Sequence, residues 1–133
     1  MTMTRPVPRL TEENRFFWTS GADGRLRFMR CNDCGTTLHP PYPVCRRCLS
    51  ENVAPHAVPG TGEIYSFTVN HQKWDPALEV PFVIARVAID EAPGVLLTSN
   101  IVGCPVDSVD IGDRVRVRFE RQGDIYYPLF EKL

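Results

Sequence analysis

The sequence predicts a mainly β protein in two parts, a short helix with a metal-pinned ribbon followed by a small closed barrel. Three observations predict it. Four of the five cysteines fall as two C-x-x-C pairs, Cys31/Cys34 and Cys45/Cys48, separated by ten residues. After Val53, five β-rich runs alternate with turn signals. The 12 prolines among 133 residues, against a usual share of about 5%, describe short elements joined by stiff turns rather than a helical bundle.

The length admits one ordinary domain and a small appendage, which excludes a large enzyme scaffold. Hydrophobic residues at 43% and charged residues at 23% exclude wholesale disorder. With 15 basic and 16 acidic side chains, there is no chain-wide basic field to hold a phosphate backbone. MTMTRPVPRL carries no apolar run of signal-peptide length, and no later segment reaches membrane-spanning length. The expectation is a soluble, cytoplasmic protein with no membrane partner. In a reducing compartment paired thiols hold metal more often than they form disulfides.

Residues 11–20, TEENRFFWTS, read as a short helix capped by Thr11, with Glu12 and Glu13 at the positive end of its dipole and Gly21 and Gly24 stopping it. Phe16, Phe17 and Trp18 cannot share one narrow helix face. At least one of them points away toward a partner or ligand, or all three lie under the chain's own loops. Leu26 and Phe28 then alternate with Arg25, Arg27 and Arg30 as a first ribbon strand leading into Cys31.

Each C-x-x-C makes a tight knuckle, and C-x2-C-x10-C-x2-C brings four thiolates to one tetrahedral point. This is the spacing of a rubredoxin-like zinc ribbon. Gly35, just after Cys34, suits the sharp turn, whereas the second knuckle places Leu49 there. Cys31, Cys34, Cys45 and Cys48 fill all four positions, so one structural zinc is expected rather than Lewis-acid catalysis. A ribbon of some 25 residues is too small to fold on burial alone, and the metal supplies the missing stability. His39 opens a rigid proline-lined connection into the second knuckle and is a superfluous ligand beside four thiolates.

The five later runs are 62–70, 81–90, 95–102, 114–122 and 125–130. EAPG and QGD make hairpins of runs two–three and four–five, while 104–113 is a longer link with room for a helical turn. That order matches a five-stranded OB-fold barrel. The domains are then 1–57, helix and ribbon, and 58–133, barrel.

Other chemistry-bearing residues carry weaker signals. His71 with Asp75 follows the first barrel strand, near Trp74, and reads as a loop or interface more readily than as a catalytic pair. Cys104 reads as a small buried residue rather than a nucleophile. Arg114, Arg116 and Arg118 alternate on one strand face, either solvated and salt-bridged or set for a protein interface. No Gly-rich phosphate loop or serine elbow accompanies them, so catalysis within this chain looks poor and no catalytic residue is assigned. Residues 1–53 hold 8 basic and 5 acidic side chains, residues 54–133 hold 7 and 11. An acidic barrel argues against the rival reading, a ribbon and OB-fold module for nucleic acid. Arg46 and Arg47 beside the knuckle can meet a few phosphates, or stay solvated or face partner carboxylates.

Taken together, FFW (16–18), GRLRFMRCNDCG (24–35), HPPYPVCRRC (39–48), GTGEIYSFTVNH (60–71) and GDRVRVRFE (112–120) resemble the acyl-CoA-associated family long filed as domain of unknown function 35. The resemblance covers nearly the whole chain. It implies a small non-catalytic companion of thiolase-superfamily enzymes, among them acyltransferases and steroid side-chain aldolases. It further implies a heterotetramer with that partner and an acyl-CoA or steroid-CoA ligand. Phe16, Phe17, Trp18, Arg46, Arg47, His71 and Trp74 are the candidate contacts to partner or ligand.

Overall fold

A computed structural model describes residues 5–133. Its first part is a helix, α1 (Arg15–Thr19), continued by a 3-10 turn over Ser20–Asp23, and a three-stranded antiparallel sheet. That sheet contains β1 (Arg27–Cys31), β2 (Thr37–Leu38) and β3 (Val53–Ala57) in the order β2-β1-β3. Its second part contains β4 (Thr61–Asn70), β5 (Phe82–Ile89), β6 (Leu96–Val102), β7 (Arg114–Gln122) and β8 (Ile125–Lys132). These five close into a barrel in the order β4-β5-β6-β8-β7. The fold is mainly β, as the turn-punctuated runs predict, and all five barrel strands fall on the expected runs. The link before β7 carries one 3-10 turn, Val106–Ser108.

Closure follows from the chain order. β4, β5 and β6 form a meander, β7 and β8 a hairpin, and the long link lets β8 lie parallel to β6, with Ile101 opposite Phe130. β7 then returns to β4, pairing Val115 with Gly62. The inward residues of the strands, including Ile64, Val83, Val87, Ile101, Val115 and Phe130, fill the interior.

Three departures from the expected elements have physical causes. The helix is shorter than 11–20 because Thr11 and Asn14 bond one another before it: the Thr11 amide donates to Asn14 Oδ1, and the Asn14 amide to Thr11 Oγ1. That local turn takes the place of a first helical turn. Gly21 does not stop the helix. It lies inside the 3-10 turn where the chain rests on β7 and β8, and a Cβ there would sit 2.6 Å from that of Tyr126. Gly24, left-handed at φ 77°, is the stop. Lastly, the sequence pattern does not mark β3, because Pro55 weakens it; among the described residues this outer strand of the ribbon sheet pairs only with β1, and a missing amide is tolerated at a sheet edge.

β1 joins the two parts. Phe28 packs into the barrel core with Leu26 and Phe17, while Met29 and Cys31 join Leu38 and Cys45 in a small ribbon cluster. Successive strand residues face opposite ways, so one five-residue strand serves both. Among the described residues, no helix is long and apolar enough to cross a membrane.

Candidate metal centre and cavity

The two knuckles are built alike. In the first, the Gly35 amide donates to the Cys31 carbonyl at 2.9 Å; in the second, the Leu49 amide donates to the Cys45 carbonyl at the same distance. Both turns need a left-handed residue, and Leu49 supplies it at φ 63° as Gly35 does at φ 78°. The side chain of Leu49 stays in solvent, 75% exposed, so its penalty is one of backbone alone.

Each knuckle therefore aims its two sulfurs at the other. Cys31 Sγ lies 3.6 Å from Cys48 Sγ, Cys34 Sγ lies 3.6 Å from Cys45 Sγ, and all four fall within 4.8 Å of one another. A tetrahedron of thiolates at zinc–sulfur bond length has edges of about 3.8 Å, so the donor set and its size fit zinc. The sulfurs also have donors: the Arg47 amide donates to Cys45 Sγ at 3.4 Å, and Thr36 Oγ1 lies 3.1 Å from Cys34 Sγ. The Thr36 hydroxyl and amide lower the Cys34 thiol to about 6. The Ser50 amide lowers Cys48, but the Cys31 thiol, desolvation and the thiols of Cys34 and Cys45 outweigh it and hold that group up at about 12. All four must shed protons on binding metal, and nothing in the set leaves an open coordination position. The ribbon is thus a structural zinc site.

A polar clasp that the sequence reading missed ties the knuckles together on the outside. Asp33 accepts from the Ser50 hydroxyl and from Asn52 Nδ2, and Asn32 Nδ2 donates to Asn52 Oδ1 at 3.0 Å. The Ser50 and Asn52 bonds hold the Asp33 carboxyl below its ordinary value. Short polar residues inside a knuckle give no distinct signal, because they equally suit any turn.

The predicted contact residues separate into two groups. Phe16, Phe17 and Trp18 stay with the chain: Phe17 is 4% exposed, Phe16 packs against both clusters, and Trp18 meets Tyr127 edge-on at 5.9 Å between centroids. Arg46 and Arg47 stand exposed on the second knuckle, and His71 and Trp74 stand exposed on the β4–β5 connection, with Trp74 at 81%. Arg116 and Arg118 both reach Glu131, and Arg114 pairs with Asp90, so this stripe is a salt-bridged face. Cys104 is half-buried beside the barrel core.

Between helix, ribbon connection and barrel lies a cavity of 590 Å³, which no sequence signal announced. Trp18, Leu97, Tyr127 and Leu129 contribute apolar wall, and Arg5 and His39 polar points. His39 lies outside the four-cysteine cluster, its ring centroid 5.0 Å from that of Phe17 and 5.1 Å from that of Phe28. Burial among these rings pushes its imidazole below its ordinary value, favouring the neutral form.

Ribbon and barrel each match a described family. Residues 18–54 match "ChsH2, rubredoxin-like zinc ribbon domain", and residues 55–120 match "ChsH2, C-terminal OB-fold domain". The chain belongs to the DUF35 family. It is 32% identical over 94 residues to a DUF35 domain-containing scaffold protein of Methanothermobacter thermautotrophicus, covering 69% of each chain. It is 35% identical over 127 residues to a probable enoyl-CoA hydratase alpha subunit of Thermomonospora curvata. To the 3-oxo-4,17-pregnadiene-20-carboxyl-CoA hydratase alpha subunit of Mycobacterium tuberculosis it is 33% identical over 112 residues. These matches take in 95% and 84% of this chain but only 39% and 35% of the two hydratase subunits. Among solved structures, a chain of an Ltp2-ChsH2(DUF35) aldolase superposes with a TM-score of 0.85 at 33% identity, covering 95% of this chain and 98% of that one.

Proposed function

We propose that this DUF35 chain is a zinc-containing, non-catalytic accessory subunit. It binds and supports a thiolase-fold enzyme acting on acyl-CoA or steroid-CoA thioesters in an aldolase or acyltransferase complex. The observation that carries the reading is the near-complete superposition on one chain of the Ltp2-ChsH2(DUF35) aldolase. The CoA-thioester substrates in the names of the hydratase relatives, and the scaffold relative, agree with it.

In this reading the partner holds the nucleophile and the acid–base groups. The zinc ribbon, 1–57, and the barrel, 58–133, act as two cytoplasmic modules of one rigid adaptor. Exposed Trp74 and His71 beyond β4, and Arg46 and Arg47 on the knuckle, are contacts to partner or thioester. Large exposed aromatics and arginines are the residue types that anchor interfaces. Because thiolase-fold enzymes are dimers, two copies of each chain give a heterotetramer. The ion-paired arginine stripe on β7 leaves little free positive charge on the barrel for a nucleic acid.

Co-expression with a thiolase-fold enzyme from the same organism tests this. Light scattering is expected to give a two-plus-two complex, and omitting the chain to lower the enzyme's solubility and its acyl-CoA turnover together. Unchanged solubility and turnover without the chain would overturn the reading, as would steeply salt-dependent binding of the isolated chain to single-stranded DNA.

A further inference from the structure

Most polar groups on the wall of the cavity under Trp18 are committed within the chain. Asn100 Nδ2 donates to the Val83 carbonyl, Ser99 Oγ to that of Pro128, Tyr127 Oη to that of Pro6 and Asn14 Nδ2 to that of Arg9. Gln122 bonds both the amide and the carbonyl of Arg5, whose side chain pairs with Glu120 and donates to Asn100 Oδ1 at 2.8 Å. The charge of Arg5 is thereby balanced from inside the protein. What remains for an occupant is chiefly apolar: Trp18, Leu97, Tyr127 and Leu129, with Pro40 and Pro41 of the ribbon connection.

Arg86 is different. It stands on β5 directly opposite Thr98 of β6, so the two side chains share one face of the barrel, and both are exposed and line the cavity. Arg86 takes part in none of the ion pairs among the described residues. Its Nη2 reaches the Leu96 carbonyl only at 3.4 Å, and a guanidinium carries five N–H donors.

No aspartate or glutamate lines this cavity. That is a local reversal, because residues 54–133 hold 7 basic and 11 acidic side chains. With Arg5 balanced by Glu120, the wall keeps the positive charge of Arg86, and protonation of His39 in either ring position would only add to it. An anionic head group is therefore favoured over a cationic one. The volume of 590 Å³ and the apolar wall with few polar groups suit a small molecule.

We infer that this cavity binds a small apolar molecule carrying one carboxylate, its body against Trp18, Leu97 and Leu129 and its carboxylate on Arg86, with the Thr98 hydroxyl as a further donor. The planar guanidinium matches the two oxygens of such a group. Arg46, Arg47, His71 and Trp74 lie outside the lining, so the site stands whether or not the partner is a thiolase-fold enzyme.

Three probes with one apolar body and different head groups test this by nitrogen–proton NMR on the full zinc-loaded chain: phenylbutyrate, phenylbutanol and phenylbutylamine. Phenylbutyrate is expected to shift the Trp18 indole and the Leu97 and Leu129 amides saturably. It is expected to bind about fivefold tighter than the alcohol, the scale of an exposed ion pair, with the amine weakest. That preference is expected to shrink in about 1 M salt, where the screening length falls to about 3 Å. Arg86→Gln is expected to erase it. Arg25→Gln, an equal loss of charge at an exposed residue outside the lining, is expected to keep it. Thr98→Trp, which fills an exposed part of the wall, is expected to weaken acid and alcohol alike. Equal affinity for acid and alcohol, preference for the amine, a preference that survives Arg86→Gln, or the absence of saturable shifts at Trp18 would overturn the inference.

Discussion

Ribbon and barrel share one chain but are held by different forces. Apart from two thiols, the ribbon's own buried cluster among the described residues is Met29 and Leu38. The barrel buries Ile64, Val83, Val87, Ile101, Val115 and Phe130 in one continuous interior, joined by Phe17, Leu26 and Phe28 from the first part. Hydrocarbon burial thus accounts for the barrel, whereas the knuckles rest on sulfur and on the Asp33 clasp. The lesson is that a small module can stay ordered without a core of its own if a metal closes it and one strand face is lent to a neighbour.

Removing the metal should separate the two most sharply. Structural zinc contributes roughly 10–16 kcal/mol in isolated zinc-finger peptides. Strong chelation is therefore expected to collapse the amide NMR signals of 31–53 while the barrel strands keep theirs; a native ribbon without metal would break the comparison. Next in size, Phe130→Ala removes a fully buried ring from the barrel and is expected to cost about 3–5 kcal/mol in urea unfolding, with zinc content unchanged.

The knuckles allow a finer comparison. Leu49→Gly relieves a left-handed leucine and is expected to stabilise the zinc-loaded protein by about 1 kcal/mol. Gly35→Ala, with its nearest obstacle 3.6 Å away, is expected to cost about the same through its backbone alone. Equal and opposite shifts in unfolding midpoint would show that the two turns are equivalent.

The smallest expected effect concerns pH. Folding holds the His39 imidazole below its ordinary value of 6.5, so the unfolded chain binds more protons in the acid range. Stability is unaffected by this group above pH 6.5 and falls as pH drops through 6.5 toward the lowered folded value. His39→Phe is expected to flatten that part of the urea-midpoint profile, and the difference between the two proteins isolates His39 from the cysteines.

Much of this architecture was legible because its signals are local. Two C-x-x-C pairs specify a metal set through chain spacing alone, and the alternation of RVRVRFE specifies a strand with one face in and one out. The charge of the arginine stripe was legible too, but its pairing with Asp90 and Glu131 depends on strands distant in sequence. FFW was legible as unusual, and the structure spreads it over the ribbon cluster, the barrel core and the Tyr127 edge. The direction of each ring was set by the seat of the helix on β7 and β8, which Gly21 permits.

By itself the sequence determined the metal centre, the number of barrel strands and the order of the barrel, since these follow from spacing, period and turn chemistry. Only the tertiary structure decided the shared strand face, the outer clasp and the cavity. Arg5 and His39 lie 34 positions apart in the chain and meet the same space because the N-terminal segment runs across β7 and β8 while the ribbon connection folds over the same barrel face. Proximity of that kind is made by packing, and no pattern of neighbouring residues encodes it.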